Sequence, residues 1–118
     1  MIVVYIYNKC STCRKAIGWL RERGIVFDER PIRETPPSEE ELRIVLGTYD
    51  GNIRRLFNTS GQDYRRLGLK ERLPEMEEAE ALRLLAANVN LVRRPFLLAG
   101  GKGSAGFKEE EWTALVES

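Results

Sequence analysis

The chain contains two cysteines, Cys10 and Cys13, and their Cys-x-x-Cys spacing is that of a reactive thiol pair. They follow an apolar run over residues 2–7, and a helical pattern begins directly after them. A helix N-terminus stabilises a thiolate, because its backbone N–H groups are unpaired and the dipole is positive there. In such motifs the thiol pKa falls from about 8.5 to between about 3.5 and 7.5, so we predict a reactive thiol here.

Two other chemistries for this cysteine pair are disfavoured by the rest of the sequence. A structural zinc site needs four ligands, usually Cys and His, and the chain has two cysteines and no histidine. Haem attachment needs a histidine directly after the second cysteine, where Arg14 stands. The lack of histidine also removes serine triads of the usual type. The alternative that stays open is a pair of inert core thiols, since free cysteine is often buried.

Length and composition predict one soluble globular domain over residues 1–118. The net charge of +1 gives no electrostatic basis for direct nucleic-acid or membrane binding. The N-terminal apolar run is short and lacks a basic segment and a cleavage site, so neither a signal peptide nor a membrane span is predicted. We therefore expect a cytoplasmic protein, in which a cysteine pair is more often catalytic or sensing than structural.

The pattern of apolar residues predicts the elements that position the thiols. Strands are expected over residues 1–7 and 25–30, with a helix over 11–23 between them. This is a β-α-β unit, in which the two strands are normally parallel. The cysteine pair then lies at the junction between the first strand and the helix.

A helical block follows this unit. Ser38 begins a helix, because Glu41 stands three residues later and completes a capping box. Residues 52–87 are predicted to hold only helices and tight connections. We therefore expect an inserted helical subdomain over approximately residues 38–90.

The chain closes with a predicted hairpin and a last helix. Two short strands, 96–99 and 105–107, flank a glycine-rich loop at 100–103, and a helix follows over 108–116. Together with the opening unit, this predicts an α/β fold with a thioredoxin-like mixed four-stranded sheet. The element order is β-α-β, the helical insertion, then β-β-α.

The second chemical feature is Arg93-Arg94-Pro95, directly before the third predicted strand. X-Pro bonds are the main place where cis peptides occur, and we predict a cis bond between Arg94 and Pro95. In a thioredoxin-like layout this strand start lies beside the cysteine motif. Guanidinium groups there would lower a thiol pKa and bind oxyanions or carboxylates. The alternative is a solvated basic pair at a helix–strand junction.

Several motifs, taken together, resemble the arsenate reductase-like family that also contains the Spx and MgsR transcriptional regulators. They are Tyr7-Asn8-Lys9-Cys10-Ser11-Thr12-Cys13-Arg14-Lys15-Ala16, Asn58-Thr59-Ser60-Gly61 with Tyr64 and Leu67-Gly68-Leu69, Arg93-Arg94-Pro95-Phe96, and Gly106-Phe107-Lys108-Glu109-Glu110-Glu111-Trp112. The match runs nearly end to end, and it looks closest to a reductase-like branch. It implies a thioredoxin-like fold with an inserted helical subdomain.

The resemblance also implies site residues. Cys10 matches the cysteine that attacks arsenate, and Arg14 matches the arginine four positions later. We expect the substrate or oxyanion site to contain Arg14, Arg94, Pro95 and Asn58. Two family arginines are missing, because the one in the insertion falls at Asn58 and the late one falls near Phe107. With only Arg14 and Arg94 as cations, arsenate is predicted to bind poorly, since each lost charge-assisted bond costs roughly 1.5–3 kcal/mol.

The presence of Cys13 bears on which of two functions the resemblance implies. The family's single-nucleophile enzymes lack this second cysteine, whereas the Spx regulators carry the pair as a redox switch and bind the RNA polymerase α subunit. The first hypothesis is a thiol-dependent reductase, in which Cys10 attacks and Cys13 resolves the intermediate. The second is a redox-sensing regulator that acts through protein contacts, without direct nucleic-acid or membrane binding. The third is a structural domain with incidental cysteines.

For the reductase, no bound cofactor and no metal are expected. The substrate would be glutathione, or a small thiol or oxyanion. Glutathione or thioredoxin would supply the electrons, with glutaredoxin as another protein partner.

Overall fold

The computed structural model describes residues 1–117, whose elements follow the predicted order. The strands are β1 (Ile2–Ile6), β2 (Phe27–Pro31), β3 (Phe96–Ala99) and β4 (Lys102–Ala105). The helices are α1 (Ser11–Glu22), α2 (Glu39–Thr48), α3 (Gln62–Arg66), α4 (Leu69–Arg72), α5 (Glu78–Ala87) and α6 (Glu109–Val116). Short 3₁₀ turns occupy Ile53–Leu56, Leu73–Glu75 and Val89–Leu91.

The four strands form one mixed sheet in the order β2-β1-β3-β4. β1 and β2 are parallel, as a β-α-β crossover requires, whereas β3 is antiparallel to both β1 and β4. This arrangement confirms the thioredoxin-like α/β fold. It also brings the C-terminal end of β1, where the cysteine motif begins, beside the start of β3.

The two faces of the sheet bury different partners, because side chains alternate along each strand. On one face, Val4 and Leu97 pack with Ala16 and Leu20 of α1 and with Trp112 of α6. The other face carries Tyr5, Phe96 and Leu98 and packs against the helical insertion. The buried residues of the insertion include Leu42, Val45, Leu56, Phe57, Tyr64, Leu69, Leu82 and Leu85. No helix within residues 1–117 is long and apolar enough to cross a membrane.

The insertion is fixed at its start by the predicted capping box. Ser38 accepts a hydrogen bond from the Glu41 backbone N–H, and the Glu41 carboxylate accepts one from the Ser38 N–H. Glu41 also accepts from the Tyr5 hydroxyl at 2.8 Å, which ties the beginning of α2 to β1. A local capping signal thus positions the whole helix on the sheet.

The closing hairpin differs from its prediction. Its second strand is Lys102–Ala105 rather than 105–107, so the connection is the short Gly100-Gly101 turn. Gly103 pairs with Leu98 within the sheet, and glycine suits this position because a Cβ there would meet the Leu97 carbonyl oxygen and would lie 2.7 Å from Val45 Cγ2 of α2. Gly103 N–H donates to the Thr48 hydroxyl at 3.1 Å, and Ala105 N–H donates to the Tyr49 hydroxyl at 2.9 Å.

The second strand also begins later than predicted, at Phe27 rather than at residue 25. Val26 is 83% exposed and Gly24 has a positive φ of 67°, so the turn after α1 extends to this point. The β-branched residues Ile25 and Val26 mimicked the start of a strand.

Candidate functional site

Cys10 is the N-cap residue of α1, as predicted. Its backbone is extended, with φ of −106° and ψ of 114°, and its Sγ accepts a hydrogen bond from Cys13 N–H at 3.3 Å. Its carbonyl accepts from Arg14 N–H at 3.1 Å, which begins the helix. The sulfur therefore takes the position where a side-chain oxygen normally caps a helix, and it accepts from an N–H of the first turn that has no partner within the helix.

Cys13 lies one turn into the helix and is fully buried, whereas Cys10 is partly exposed. Burial, together with the hydrogen bond to Cys10 and the Cys10 charge, raises the pKa of the Cys13 thiol to about 12, against lowering effects of the Tyr7 backbone and the Arg94 charge. Cys13 is therefore protonated at neutral pH. Both residues are free cysteines.

The peptide bond between Arg94 and Pro95 is cis, as predicted. The Pro95 carbonyl accepts from Gly106 N–H at 2.8 Å, which joins this loop to the segment after β4. The Arg94 guanidinium lies over the Tyr7 ring, with its carbon 4.9 Å from the ring centre. Arg94 thus stands beside the residues that lead into the cysteine motif.

Cys10 opens into a cavity of about 370 Å³. Its lining comprises Cys10, Thr12, Arg55, Asn58, Thr59, Ser60, Arg93, Arg94, Ala105, Gly106, Phe107 and Lys108. Four of these side chains are cationic, namely Arg55, Arg93, Arg94 and Lys108, and none is acidic. The cavity is therefore suited to an anionic group placed next to the thiol.

Arg93 is the most firmly held of these cations. Its Nε donates to the Phe57 carbonyl at 3.0 Å and one Nη donates to the Thr59 hydroxyl at 3.3 Å. Its backbone N–H donates to the Leu56 carbonyl at 2.9 Å, so the insertion and the segment before β3 run side by side. Within residues 1–117 no carboxylate forms an ion pair with Arg93, which leaves a half-buried charge beside the cavity.

Burial lowers the pKa of the Arg93 guanidinium, and the positive charge of Arg55 lowers it further. Both causes mean that an anion in the cavity would be attracted strongly, since it would relieve an uncompensated charge. Gly106 leaves room for this side chain, because a Cβ there would lie 3.1 Å from Arg93 Cδ.

Arg55 reaches the same cavity from the insertion. It pairs with Glu111 of α6 at 2.8 Å and lies over the Tyr49 ring, 4.0 Å from its centre. The Tyr49 hydroxyl donates to Glu111 at 3.1 Å, and Ser104 donates to the same carboxylate at 3.2 Å. The Glu111 carboxylate has a lowered pKa: burial raises it, but the Arg55 and Tyr49 hydrogen bonds outweigh that effect. This network orients Arg55 and links the insertion to α6.

The residues predicted for the site are placed in two groups. Cys10, Arg94 and Asn58 line the cavity together. Arg14 does not line it; one Nη donates instead to the Asn8 carbonyl at 3.1 Å, within the loop that leads to Cys10. Pro95 is buried behind Arg94, and its contribution is the carbonyl that accepts from Gly106.

The sequence placed Arg93 and Arg94 beside the cysteine motif and counted Arg14 and Arg94 as the cations of the anion site, whereas the cavity is lined by Arg55, Arg93, Arg94 and Lys108. Arg55 comes from three residues before Asn58, and Lys108 comes from one residue after Phe107, so neighbouring residues supply charge where the family arginines are missing. The electrostatic argument against arsenate counted fewer cations than line the cavity, and poor arsenate binding stays a prediction. The sequence signal for Arg93 was its place next to Arg94, but nothing local identified Arg55 or Lys108.

The chain has extensive likeness to known proteins. The family model described as the ArsC family matches residues 5–115. The protein YusI of Bacillus subtilis is 45% identical over 111 residues, which cover 94% of each chain. The global transcriptional regulator Spx of Enterococcus faecalis is 32% identical, over 94% of this chain and 83% of that protein.

A solved structure gives the same result in three dimensions. An ArsC-family-related protein from Bacteroides fragilis superposes with a TM-score of 0.89 and 39% identity, over 97% of this chain and 96% of that one. The match therefore includes both the thioredoxin-like sheet and the inserted helices. The chain belongs to the ArsC family.

Proposed function

We propose that the protein is a thiol-dependent oxidoreductase that acts on a small anionic disulfide or oxidised substrate. The observation that carries this proposal is the position of Cys10. Its sulfur caps α1 and lines a cavity with four cationic side chains, while a second thiol lies directly behind it. Membership in the ArsC family, which rests on the whole length of the chain, supports thiol chemistry at this site.

The proposed reaction proceeds in two thiol–disulfide exchanges. The Cys10 thiolate attacks one sulfur of the substrate disulfide; the S–S bond breaks, a mixed disulfide forms, and the other half leaves as a thiolate. Cys13 then loses its proton to solvent or to the departing thiolate and attacks Cys10 Sγ. This step releases the reduced substrate and leaves a Cys10–Cys13 disulfide, which two glutathione molecules or one thioredoxin dithiol reduce.

The high pKa of Cys13 fits its resolving role. Burial is the largest cause of the rise; the hydrogen bond to Cys10 and the charge of the Cys10 thiolate are two further causes that depend on Cys10. Both effects disappear once Cys10 is part of a neutral mixed disulfide. The remaining Arg94 charge then favours the Cys13 thiolate at the moment when it must attack.

The cationic lining supports a substrate that carries an anionic group. Arg93 and Arg94 approach the cavity from the segment before β3, and Arg55 and Lys108 approach it from the insertion and from the N-cap of α6. A carboxylate or an oxyanion such as arsenate suits these charges. Arg14, which holds the loop before Cys10, would contribute by fixing the thiol, and direct contact of Arg14 with substrate stays a prediction.

A second candidate function is a redox-sensing regulator that binds the RNA polymerase α subunit. The observation in its favour is the 32% identity to the Enterococcus faecalis regulator Spx over 94% of this chain. In this alternative a Cys10–Cys13 disulfide would alter a protein-binding surface. Affinity for the α subunit would then differ between the reduced and the oxidised protein.

The deciding experiment is turnover of the mixed disulfide between glutathione and 2-mercaptoethanol. NADPH consumption is followed with either glutathione and glutathione reductase or thioredoxin and thioredoxin reductase, and arsenate is assayed in parallel. We expect saturable turnover that Cys10→Ser abolishes. The absence of turnover, together with redox-dependent binding to the α subunit, would favour the regulator instead.

A further inference from the structure

A second cavity, of about 280 Å³, lies next to the cavity of Cys10. It is lined by Arg33, Asn58, Gly61, Gln62, Asp63, Asn90 and Arg94. Asn58 and Arg94 line both cavities, so the two lie side by side at these side chains. We name the second space the Arg33 cavity.

The Arg33 cavity contains two guanidinium groups held by one aromatic ring. The guanidinium carbon of Arg33 lies 4.2 Å from the centre of the Tyr7 ring, and that of Arg94 lies 4.9 Å from it. Both guanidinium groups contact Tyr7, and both line this cavity. Neither has a carboxylate partner within residues 1–117, so both are available to a carboxylate from outside.

One anionic group of the protein lines the same cavity. Asp63 Oδ2 accepts hydrogen bonds from the side-chain amides of Asn88 at 3.1 Å and Asn90 at 3.5 Å, its Oδ1 pairs with Arg66 at 3.2 Å, and its side chain is only 19% exposed. The Asn88 hydrogen bond lowers the pKa of this carboxyl, and the Arg66 charge adds to the effect. Asp63 is therefore a fixed carboxylate, and its Oδ1, which pairs only with Arg66, retains capacity to accept another donor.

These charges favour an occupant that carries both signs over a simple anion. A carboxylate alone would satisfy Arg33 and Arg94 but would be repelled by Asp63. A group with an ammonium and a carboxylate on the same carbon would pair with both kinds of side chain at once. The side-chain carbonyl groups of Asn58 and Asn90 offer further acceptors for the ammonium.

We propose that the Arg33 cavity binds the free α-amino acid end group of a low-molecular-weight thiol whose sulfur reacts at Cys10. Arg33 and Arg94 bind its carboxylate and Asp63 binds its ammonium. This inference rests on the proposed oxidoreductase function and adds the class of substrate. It makes Arg33 and Asp63 specificity-determining residues that lie outside the thiol cavity.

The test uses three mixed disulfides that share one leaving group, 2-nitro-5-thiobenzoate, so that attack by Cys10 releases the same coloured thiolate from each. The other halves are glutathione, N-acetylglutathione and cysteamine. Glutathione has the complete end group, N-acetylglutathione lacks its ammonium, and cysteamine lacks the carboxylate. Second-order rate constants are measured with Cys13→Ser protein, in which the reaction stops at the mixed disulfide.

We expect glutathione to react about tenfold faster than N-acetylglutathione, the scale of one charge-assisted contact in partly open solvent. Arg33→Gln should slow the glutathione probe about tenfold and leave the cysteamine probe unchanged. Asp63→Asn should remove the preference for the free ammonium. Arg83→Gln is the matched control, because Arg83 is exposed and lines neither cavity.

Two results would overturn the proposal in different ways. If all three probes react at similar rates and Arg33→Gln behaves like Arg83→Gln, the thiol function stands and the assignment of the Arg33 cavity is wrong. If no probe reacts with the protein that retains Cys10, the oxidoreductase function itself fails. A shift of the Arg33 and Asn90 NMR signals on addition of unreactive S-methylglutathione supports the site directly, and unchanged signals count against it.

Discussion

The thioredoxin-like core and the helical insertion supply different parts of the candidate site. The core provides both thiols from the start of α1 and provides Arg93 and Arg94 from the segment before β3. The insertion provides Arg55, Asn58 and Thr59, which face Cys10 across the cavity. This division indicates that the core determines whether sulfur chemistry occurs, whereas the insertion determines which anion is bound beside it. Changes in the two regions should therefore have different kinetic effects.

The largest expected effect on activity comes from substitution of the thiols in the thioredoxin-like core. Cys10→Ser removes the thiolate that attacks, so we expect kcat/KM for disulfide substrates to fall at least about a thousandfold. Cys13→Ser keeps the attack and blocks resolution, so the mixed disulfide should accumulate and be visible as a mass increase. If Cys13→Ser loses attack and Cys10→Ser keeps it, the assigned roles of the two thiols are reversed.

The buried Cys13 thiol of the core also predicts how the stability of the fold changes at high pH. The pKa of Cys13 is about 12 in the fold, against 9.0 ordinarily. The stabilisation from keeping it neutral is complete below pH 9 and is lost as pH rises toward 12. The unfolding free energy should fall in this window with a Cys13 contribution that approaches about 1.4 kcal/mol per pH unit. Denaturant titrations of wild-type and Cys13→Ala protein at pH 8 to 11 measure it.

The slope of unfolding free energy against pH is compared between wild-type and Cys13→Ala protein, and the difference gives the contribution of the Cys13 thiol. Burial also raises the pKa of Tyr5, with its hydrogen bond to Glu41 adding to the rise, so both proteins lose stability at high pH for that second reason. Only the difference in slope belongs to the thiol. Equal slopes would mean that Cys13 is less protected from solvent than its complete burial indicates.

An effect on binding is expected from the insertion. Arg55→Met removes one cation from the cavity, so we expect KM for an anionic disulfide to rise about tenfold while kcat changes little. Arg54→Met is the matched control, since the neighbouring arginine does not line the cavity of Cys10. A fall in kcat with an unchanged KM would show that Arg55 acts on the chemical step, which contradicts the division between core and insertion.

The smallest expected effect is an increase in the affinity for an oxyanion. Asn58→Arg places an additional cation at a position that lines the cavity, so oxyanion affinity should increase several-fold. Arsenate inhibition of disulfide turnover, measured for both proteins, reports this affinity. Because four cations already line the cavity, the gain is smaller than in a cavity that had only two. An unchanged inhibition constant would mean that the new side chain turns away from Cys10.

The sequence predicted those features whose cause is local. The capping box needs only Ser38 and Glu41, and the position of Cys10 follows from a strand that ends directly before a helix. The cis bond before Pro95 followed from the layout, because the thioredoxin-like pattern places a proline at the start of β3.

Features that depend on packing between distant segments could not be predicted from the sequence. Arg55 reaches the cavity because Glu111 and Tyr49, which lie on other elements, orient its guanidinium. The hairpin boundary was wrong because the fit of Gly103 under Val45 is a contact of α2 with β4. The interaction of Arg14 with Asn8 likewise depends on the path of the loop rather than on spacing.

The hydroxyl groups at the end of α2 have a consequence for the solubility of the protein. β4 is an outer strand of the sheet, and such a strand can recruit a strand of another molecule through its free backbone donors. Here Thr48 and Tyr49 accept from the N–H groups of Gly103 and Ala105, so these donors are already occupied. The helix thus protects the sheet against edge-to-edge aggregation, and glycine at position 103 is what lets it come close enough to do so.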